Sequence, residues 1–399
     1  MTAAPACLRL KAGREKSVLQ RRPWVFSGAV ERIEGSPADG ETVRLLDADG
    51  RFLAWGAYSA HSQIQARLWS WDEGQIIDEG FLRRKLSQAL EARRGWVDPQ
   101  QTDSLRLVHG ESDGLPGLVV DRYADYLSAQ FLSSGAEHWR EPLARLLLEL
   151  SGAHGIFERS DVDVRRLEGL PERSGLLLGA APPERIEIRE NGLRFQVDLQ
   201  HGHKTGYYLD QRRNRLRLGE LAAGRDVLDC FCYTGGFSVH ALAGGAASVL
   251  ALDSSGEALA QAQRHLELNG LPLERASFLE ADAFQALRRF RDSRRSFDLI
   301  VLDPPKFAPT AAQAQQAARG YKDINLLALK LLRPGGLLVT FSCSGGVDAA
   351  LFQKIVAGAA QDAGVPAQII ERLGAGPDHP VALSFPEGEY LKGLVVRRS

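Results

Sequence analysis

Acidic residues recur at the ends of short apolar runs in the second half of the chain, at Asp229, Asp253, Asp282 and Asp303. In an open parallel α/β sheet, ligands bind outside the carboxyl ends of the strands, so side chains there are the ones that meet a ligand. The first run continues Asp229-Cys230-Phe231-Cys232-Tyr233-Thr234-Gly235-Gly236. Its paired glycines let backbone approach a ligand at a helix N-terminus, although the pattern is not the G-x-G-x-x-G of dinucleotide sites. Asp253, followed by Ser254 and lying 24 residues after Asp229, suits the two hydroxyls of a ribose. Asp282, followed by Ala283, is placed to accept from an exocyclic amine. Each of these acids also reads as a helix N-cap. Asp303-Pro304-Pro305-Lys306 stiffens a strand end and removes amide donors, leaving carbonyls for a planar substrate. Ser342-Cys343-Ser344-Gly345-Gly346 puts a thiol among hydroxyls and glycines. Most free cysteines are inert small hydrophobes, but one in such a loop is a candidate nucleophile.

The elements around these residues alternate. Strand-like runs at 226–231, 247–252, 277–280, 297–302 and 336–341 are separated by helical periodicity at 236–243, 256–269, 283–290 and 324–332, with a further helix at 349–363. Alternation of this kind predicts a doubly wound, mainly parallel α/β sheet over 185–399. A hairpin turning at Asn191-Gly192 leads it, over 185–200. The run 393–397 follows the run 368–372 without an intervening helix, so it is expected to insert antiparallel. Between the hairpin and the first strand lie Lys204, Tyr208 and Gln211, which either wall a cofactor pocket or simply connect the two elements. Residues 1–75 are short runs with turn punctuation, including Asp49-Gly50, and predict a small β-barrel of five or six strands. Residues 76–184 are mixed α+β, with a helix over 79–96, and Pro182-Pro183 marks their end.

The chain has 399 residues, 44% hydrophobic and 25% charged, with a formal net charge of -1. That length suits two or three domains with their own cores. No run of about 18 uncharged apolar residues is present, which argues against a membrane span and for the cytosol. Four cysteines at uneven spacing do not make a disulfide framework. Near-neutral charge hides a strip of Arg9, Lys11, Arg14, Lys16, Arg21 and Arg22 against the single acid Glu15, a net +5 that is either a solvated face or a phosphate-contacting surface. His201-Gly202-His203 and Cys230-Phe231-Cys232 match no structural zinc spacing, so no metal is expected.

Taken together, DCFCYTGGFS, ALD, ADAF, DLIVLDPPKF and TFSCSG resemble the motifs of class I S-adenosylmethionine-dependent methyltransferases. With HGHKTGYYLDQR and RPWVFSGAV they resemble the bacterial ribosomal RNA large subunit methyltransferase I family over essentially the whole chain. The resemblance implies an N-terminal PUA domain that binds RNA, a central α+β domain and a Rossmann-like methyltransferase domain. It implies 5-methylcytosine formation in 23S rRNA, cytosine 1962 being the family's target. It also implies S-adenosylmethionine as cofactor, held by the loop after the first strand, the acids at the following strand ends, and Lys204, Tyr208 and Gln211. A second copy of the chain stays open as a partner.

Carbon 5 of a pyrimidine is a poor nucleophile, so such enzymes add a thiolate to carbon 6 first. The resemblance puts Cys343 in that role and Asp303 at the ring near N3. Many RNA 5-methylcytosine enzymes carry a second cysteine after the proline of this motif; here Lys306 stands there, a candidate to favour the thiolate. Amino-group methylation would not need Cys343, and its motif commonly ends DPPY or NPPY. Uridine carbon-5 methylation and a non-catalytic role in ribosome assembly are the alternatives.

Overall fold

In the computed structural model, residues 5–307 and 314–399 are described, and they fall into two units. The first runs to Gly192 and adds Gln196–Leu209 and Pro377–Gly388; the second holds Leu193–Phe195, Asp210–Gly376 and Glu389–Ser399.

The first unit opens with β1 (Cys7–Leu10), α1 (Lys16–Leu19), β2 (Trp24–Phe26), β3 (Val30–Glu34), β4 (Thr42–Leu46), β5 (Phe52–Tyr58) and β6 (Ile64–Ser70). They form one six-stranded sheet, ordered β2-β6-β5-β4-β1-β3. Alternate residues such as Leu8, Leu10, Val43, Leu45, Ala66 and Leu68 meet in its core, as a half-buried strand demands. A second sheet, ordered β11-β10-β9-β8-β7, contains β7 (Ser104–His109), β8 (Leu118–Tyr123), β9 (Tyr126–Phe131), β10 (Gly155–Ser160) and β11 (Arg173–Gly179). The helices of this part are α2 (Glu79–Ala92), α3 (Ser134–His138), α4 (Arg140–Ser151) and α5 (Val164–Leu167). The Asp78 carboxylate caps α2 by accepting from the Phe81 amide, and Phe81, Leu82, Leu86 and Ala89 turn its apolar stripe inward.

The segment 377–388, assigned by sequence to the 185–399 block, clusters with this first unit. Named contacts hold it there: Glu387 pairs with Arg22 at 2.9 Å, Phe385 packs edge-on against Trp24, and Asp378 accepts from the Arg106 amide at 2.9 Å. The hairpin of β12 (Ile186–Glu190) and β13 (Leu193–Val197) turns at Asn191 and Gly192, both in the left-handed region, as a two-residue turn requires.

In the second unit, α6 (Arg212–Leu221) precedes a seven-stranded sheet of β14 (Asp226–Cys230), β15 (Ser248–Asp253), β16 (Ala276–Glu280), β17 (Phe297–Leu302), β18 (Leu332–Ser342), β19 (Ala367–Gly374) and β20 (Lys392–Arg398). Helices α7 (Gly236–Ala243), α8 (Gly256–Leu268), α9 (Ala283–Asp292), α10 (Ala314–Leu331) and α11 (Ala349–Ala363) alternate with the strands. The order is β16-β15-β14-β17-β18-β20-β19, parallel from β16 to β18, with β20 inserted antiparallel between β18 and β19. Strand order reverses between β14 and β17, the switch point where such sheets bind ligands. Leu228, Leu250, Ile300, Leu302 and Leu338 are buried in one continuous core with the inner faces of α9, α10 and α11. No helix among the described residues is long and apolar enough to cross a membrane.

Candidate active site

Strand register sets the edge on which the site is built. Cys230 lies opposite Leu252 and Leu302, and Leu302 lies opposite Thr340. The loops after β15, β14, β17 and β18 therefore leave the sheet side by side, about 4.8 Å apart. β20 runs the other way with Lys392 opposite Ser342, so its first residue arrives at that same edge.

The loop after β14 is conformationally costly. Phe231, Tyr233 and Gly235 have φ of 61°, 49° and 75°, and the two non-glycine residues are in a region that costs roughly 1–3 kcal/mol each. Hydrogen bonds to neighbouring elements hold the loop. The Cys232 amide donates to Leu252 O at 3.1 Å, the Tyr233 amide to Asp253 Oδ2 at 2.8 Å, and His265 Nδ1 sits 2.8 Å from Thr234 O. At Gly235 a Cβ would lie 2.6 Å from that of Ala262, so the position admits no side chain without movement. The buried Gly236 then begins α7.

Asp229 is completely buried under this loop. Its Oδ2 accepts from Ser238 Oγ at 2.7 Å, while Oδ1 has no hydrogen-bond partner among the described residues. Burial pushes its carboxyl up to about 7; the Ser238 hydroxyl pulls the other way, and the charges of Asp303 and Asp253 add to the rise. Thr234 Oγ1 is likewise buried without a partner among the described residues. An orphaned carboxylate oxygen among further carboxylates fits a ligand that brings positive charge, and S-adenosylmethionine carries a sulfonium and an ammonium.

Asp253 accepts one backbone amide on each oxygen, from Tyr233 at 2.8 Å and Ser255 at 3.0 Å, which leaves lone pairs for hydroxyl donors. Ser254 beside it is exposed. Asp282 is exposed and caps α9, its Oδ1 accepting from the Gln285 amide at 2.9 Å, with Ala283 buried behind it. Asp282 is thus a helix cap through Oδ1. After β17, Asp303 is half-buried, Pro304 buried, and Pro305 and Lys306 exposed. Phe307 packs on Tyr321, ring centroids 4.7 Å apart. Cys343 is half-buried directly after β18, between the buried Ser342 and Ser344. The Tyr321 hydroxyl and Ser344 Oγ are 3.0 Å apart, and Lys392 Nζ donates to Ser344 O at 2.9 Å. Sequence reasoning missed Lys392. Its signal was a lysine at the head of an antiparallel strand, one residue before the run assigned to that strand.

Gln211 is buried in the second unit, its Oε1 accepting from Asn214 at 2.6 Å. Lys204 and Tyr208 belong to the first unit, the ammonium lying 4.2 Å from the ring centroid. The histidines weighed for zinc are engaged elsewhere: His201 Nδ1 is 3.0 Å from Asp198 and His203 Nδ1 is 3.3 Å from the Tyr208 hydroxyl. Cys230 and Cys232 are buried, and no group of metal-ligating residues gathers among the described residues.

The basic strip divides. Arg9 is tied to Glu34 at 2.9 Å, Arg22 to Glu387, and Arg21 lies over Trp71. Lys11 donates to Gly28 O at 3.0 Å. Arg14 and Lys16, both exposed, line a cavity of about 540 Å³ with Trp24 and Phe26.

The sequence pattern of the S-adenosylmethionine-dependent methyltransferase family matches residues 153–396, and that of a PUA-like domain matches residues 8–71. A protein from Streptococcus mutans described as a SAM-dependent methyltransferase has the same fold, with a TM-score of 0.84 at 22% identity, covering 98% of this chain and 99% of that one. Another solved structure of this fold, at the same TM-score, identity and coverage, is described as a methyltransferase complexed with SAH. Fold and site define an S-adenosylmethionine-dependent methyltransferase with an N-terminal PUA-like domain. Among the curated relatives, ribosomal RNA large subunit methyltransferase I of Aeromonas hydrophila is 52% identical over 393 residues, covering 98% of this chain and 99% of that protein. The proteins of the same name from Shewanella amazonensis and Klebsiella pneumoniae are 52% and 50% identical, each over 390 residues, 98% of this chain and 98% of theirs. The chain belongs to the ribosomal RNA large subunit methyltransferase I family.

Proposed function

We propose that this protein methylates carbon 5 of a cytosine in 23S rRNA, at the position its family modifies, through a transient bond between Cys343 and carbon 6. The observation that carries this reading is the register. It brings the Cys343 loop to the sheet edge beside the Asp303 loop, next to the acids that suit the cofactor. S-adenosylmethionine supplies an electrophilic methyl group when bound. Asp229, Asp253, Asp282, Asp303, Thr234 and Gly235, with the neighbouring Phe231, Tyr233, Gly236, Ser254, Ala283 and Gln211, are the residues we assign to holding it; Lys204 and Tyr208 stay in that assignment from the sequence alone.

The Cys343 thiolate adds to carbon 6 while Asp303 bonds or protonates the ring near N3, so that the electron pair collects at carbon 5. Carbon 5 takes the methyl group. A base removes the carbon 5 proton, the C6–S bond breaks, and the thiolate returns. The PUA-like domain engages RNA through the cavity of Arg14, Lys16, Trp24 and Phe26, cations for phosphates beside aromatic faces for bases. We assign three domains, 1–75, 76–184 and 185–399, built around the six-, five- and seven-stranded sheets, with the two-stranded hairpin sheet leading the last. The reaction belongs in the cytoplasm, where ribosomal RNA is made. Bisulfite mapping of 23S rRNA from cells lacking the gene tests the assignment. One protected cytosine should become convertible and regain protection with wild-type protein, but not with Cys343→Ala. Unchanged protection in the deletion strain would refute it.

A further inference from the structure

A thiol needs help to ionise near neutral pH, and a carboxylate at the neighbouring strand end opposes it. Lys306, the cation the sequence offers for this task, is exposed. The buried cation is Lys392, only 6% exposed at the head of β20 and opposite Ser342 in register. Its Nζ donates to the carbonyl of Ser344, the residue after the thiol. Desolvating an ammonium is costly unless something nearby repays it. Burial holds the Lys392 ammonium below the ordinary lysine range, and the largest influence in the other direction is Cys343, ahead of Glu389 and Asp348, with Lys306 opposing. From α10, Tyr321 touches the same turn through Ser344, and burial pushes its phenol up, so it stays neutral and able to donate. Asp303 is the charge on the β17 side, and Asp348 caps α11 beyond the turn.

We propose that Lys392 is the positioning residue of the Cys343 nucleophile: its ammonium, anchored on the Ser344 carbonyl, offsets the field of Asp303 and favours thiolate over thiol. The assisted step is loss of the Sγ proton to water before the S–C6 bond forms, with no electron transfer. The inference rests on the nucleophile reading above. It predicts that charge, not shape, is what position 392 supplies.

The test is the pH dependence of Cys343 alkylation by iodoacetamide in the full-length protein, read by mass spectrometry of the peptide that carries it. Lys392→Met should move the reactivity midpoint up by about one pH unit or more, a roughly tenfold loss of alkylation at pH 7. Methyl transfer should fall by a similar factor at pH 7 and recover towards pH 9. Lys392→Arg should keep the wild-type midpoint. Lys392→Gln, which can still bond the Ser344 carbonyl, should shift as Met does and decides the matter if the Met protein does not fold. A midpoint unmoved in Gln or Met protein that binds S-adenosylmethionine normally would overturn the proposal, as would an Arg protein that shifts like Met. Alkylation needs no turnover, so a Cys343→Ala enzyme that stayed active would remove the nucleophile reading while leaving the Lys392 result standing.

Discussion

Replacing Asp229 with asparagine separates what the buried acid costs the fold from what it gives the cofactor. An unfolded aspartate titrates near 3.8, whereas the completely buried Asp229 is pushed up to about 7. At about 1.4 kcal/mol per pH unit, keeping it ionised at pH 8 destabilises the folded protein by about 4 kcal/mol. The sign follows from proton binding: the folded state holds this proton more tightly, so stability from this group is greatest below about pH 4 and falls as pH rises through 7. The asparagine side chain carries no such penalty but weakens the bond from Ser238, worth about 1 kcal/mol. The ligand-free Asp229→Asn protein should therefore be more stable than wild type by about 2–3 kcal/mol at pH 8, with the advantage gone near pH 4. Affinity should move the other way. A cationic ligand selects the ionised acid, of which about one-tenth remains at pH 6, so wild-type S-adenosylmethionine affinity should drop roughly tenfold from pH 8 to pH 6. The asparagine protein should bind about 10- to 100-fold more weakly and lose that dependence. Urea unfolding of the ligand-free proteins and calorimetry with S-adenosylmethionine, both across pH, measure the two effects. An Asp229→Asn protein less stable at pH 8, or a wild-type affinity equal at pH 6 and 8, would refute the reasoning.

Asp253→Ala should weaken S-adenosylmethionine by about 1.5–3 kcal/mol in calorimetry, because it removes the ribose acceptor and releases the Tyr233 amide that shapes the loop. Gly235→Ala should destabilise the protein by roughly 1–3 kcal/mol in urea unfolding, since φ is 75° and the new methyl would meet Ala262 at 2.6 Å. Reversing Arg14 and Lys16 to glutamate should weaken rRNA-fragment binding and lower the slope of log affinity against log salt by about 2, while cofactor affinity stays unchanged. Reversal at Arg9 should show little of this effect and cost stability instead, because that side chain is committed to Glu34.

The parallel sheet was legible because its strands are nearly continuous apolar runs, and the position of the last strand followed from the missing helix before it. What stayed hidden was mostly polar sequence buried by pairing. β10 reads GIFERS, yet every residue is buried, with Glu158 held by Arg140 and Arg159 by the carbonyls of Leu199 and Gly202. α6, RRNRLRLGEL, has a mostly polar sequence but buries Arg212, Asn214 and Arg215. β1, CLRL, alternates but is only four residues long, too short to stand out, and β3, VERIE, carries three charges. At the candidate site the acids and Cys343 could be named from strand ends, since a parallel strand always delivers its last residues to the ligand edge. Lys392 could not, because an antiparallel strand delivers its first residue there, and only register says which residue that is.

The covalent step is tested most directly with an rRNA fragment carrying 5-fluorocytosine at the target position, incubated with full-length protein and S-adenosylmethionine. Fluorine at carbon 5 cannot leave as a proton, so after methyl transfer the C6–S bond cannot break. Wild-type protein should give a denaturation-resistant protein–RNA adduct that peptide mapping places on Cys343, while Cys230→Ala and Cys232→Ala form it and Cys343→Ala does not. An adduct that survives Cys343→Ala, or full methylation of ordinary RNA by that variant, would contradict the account.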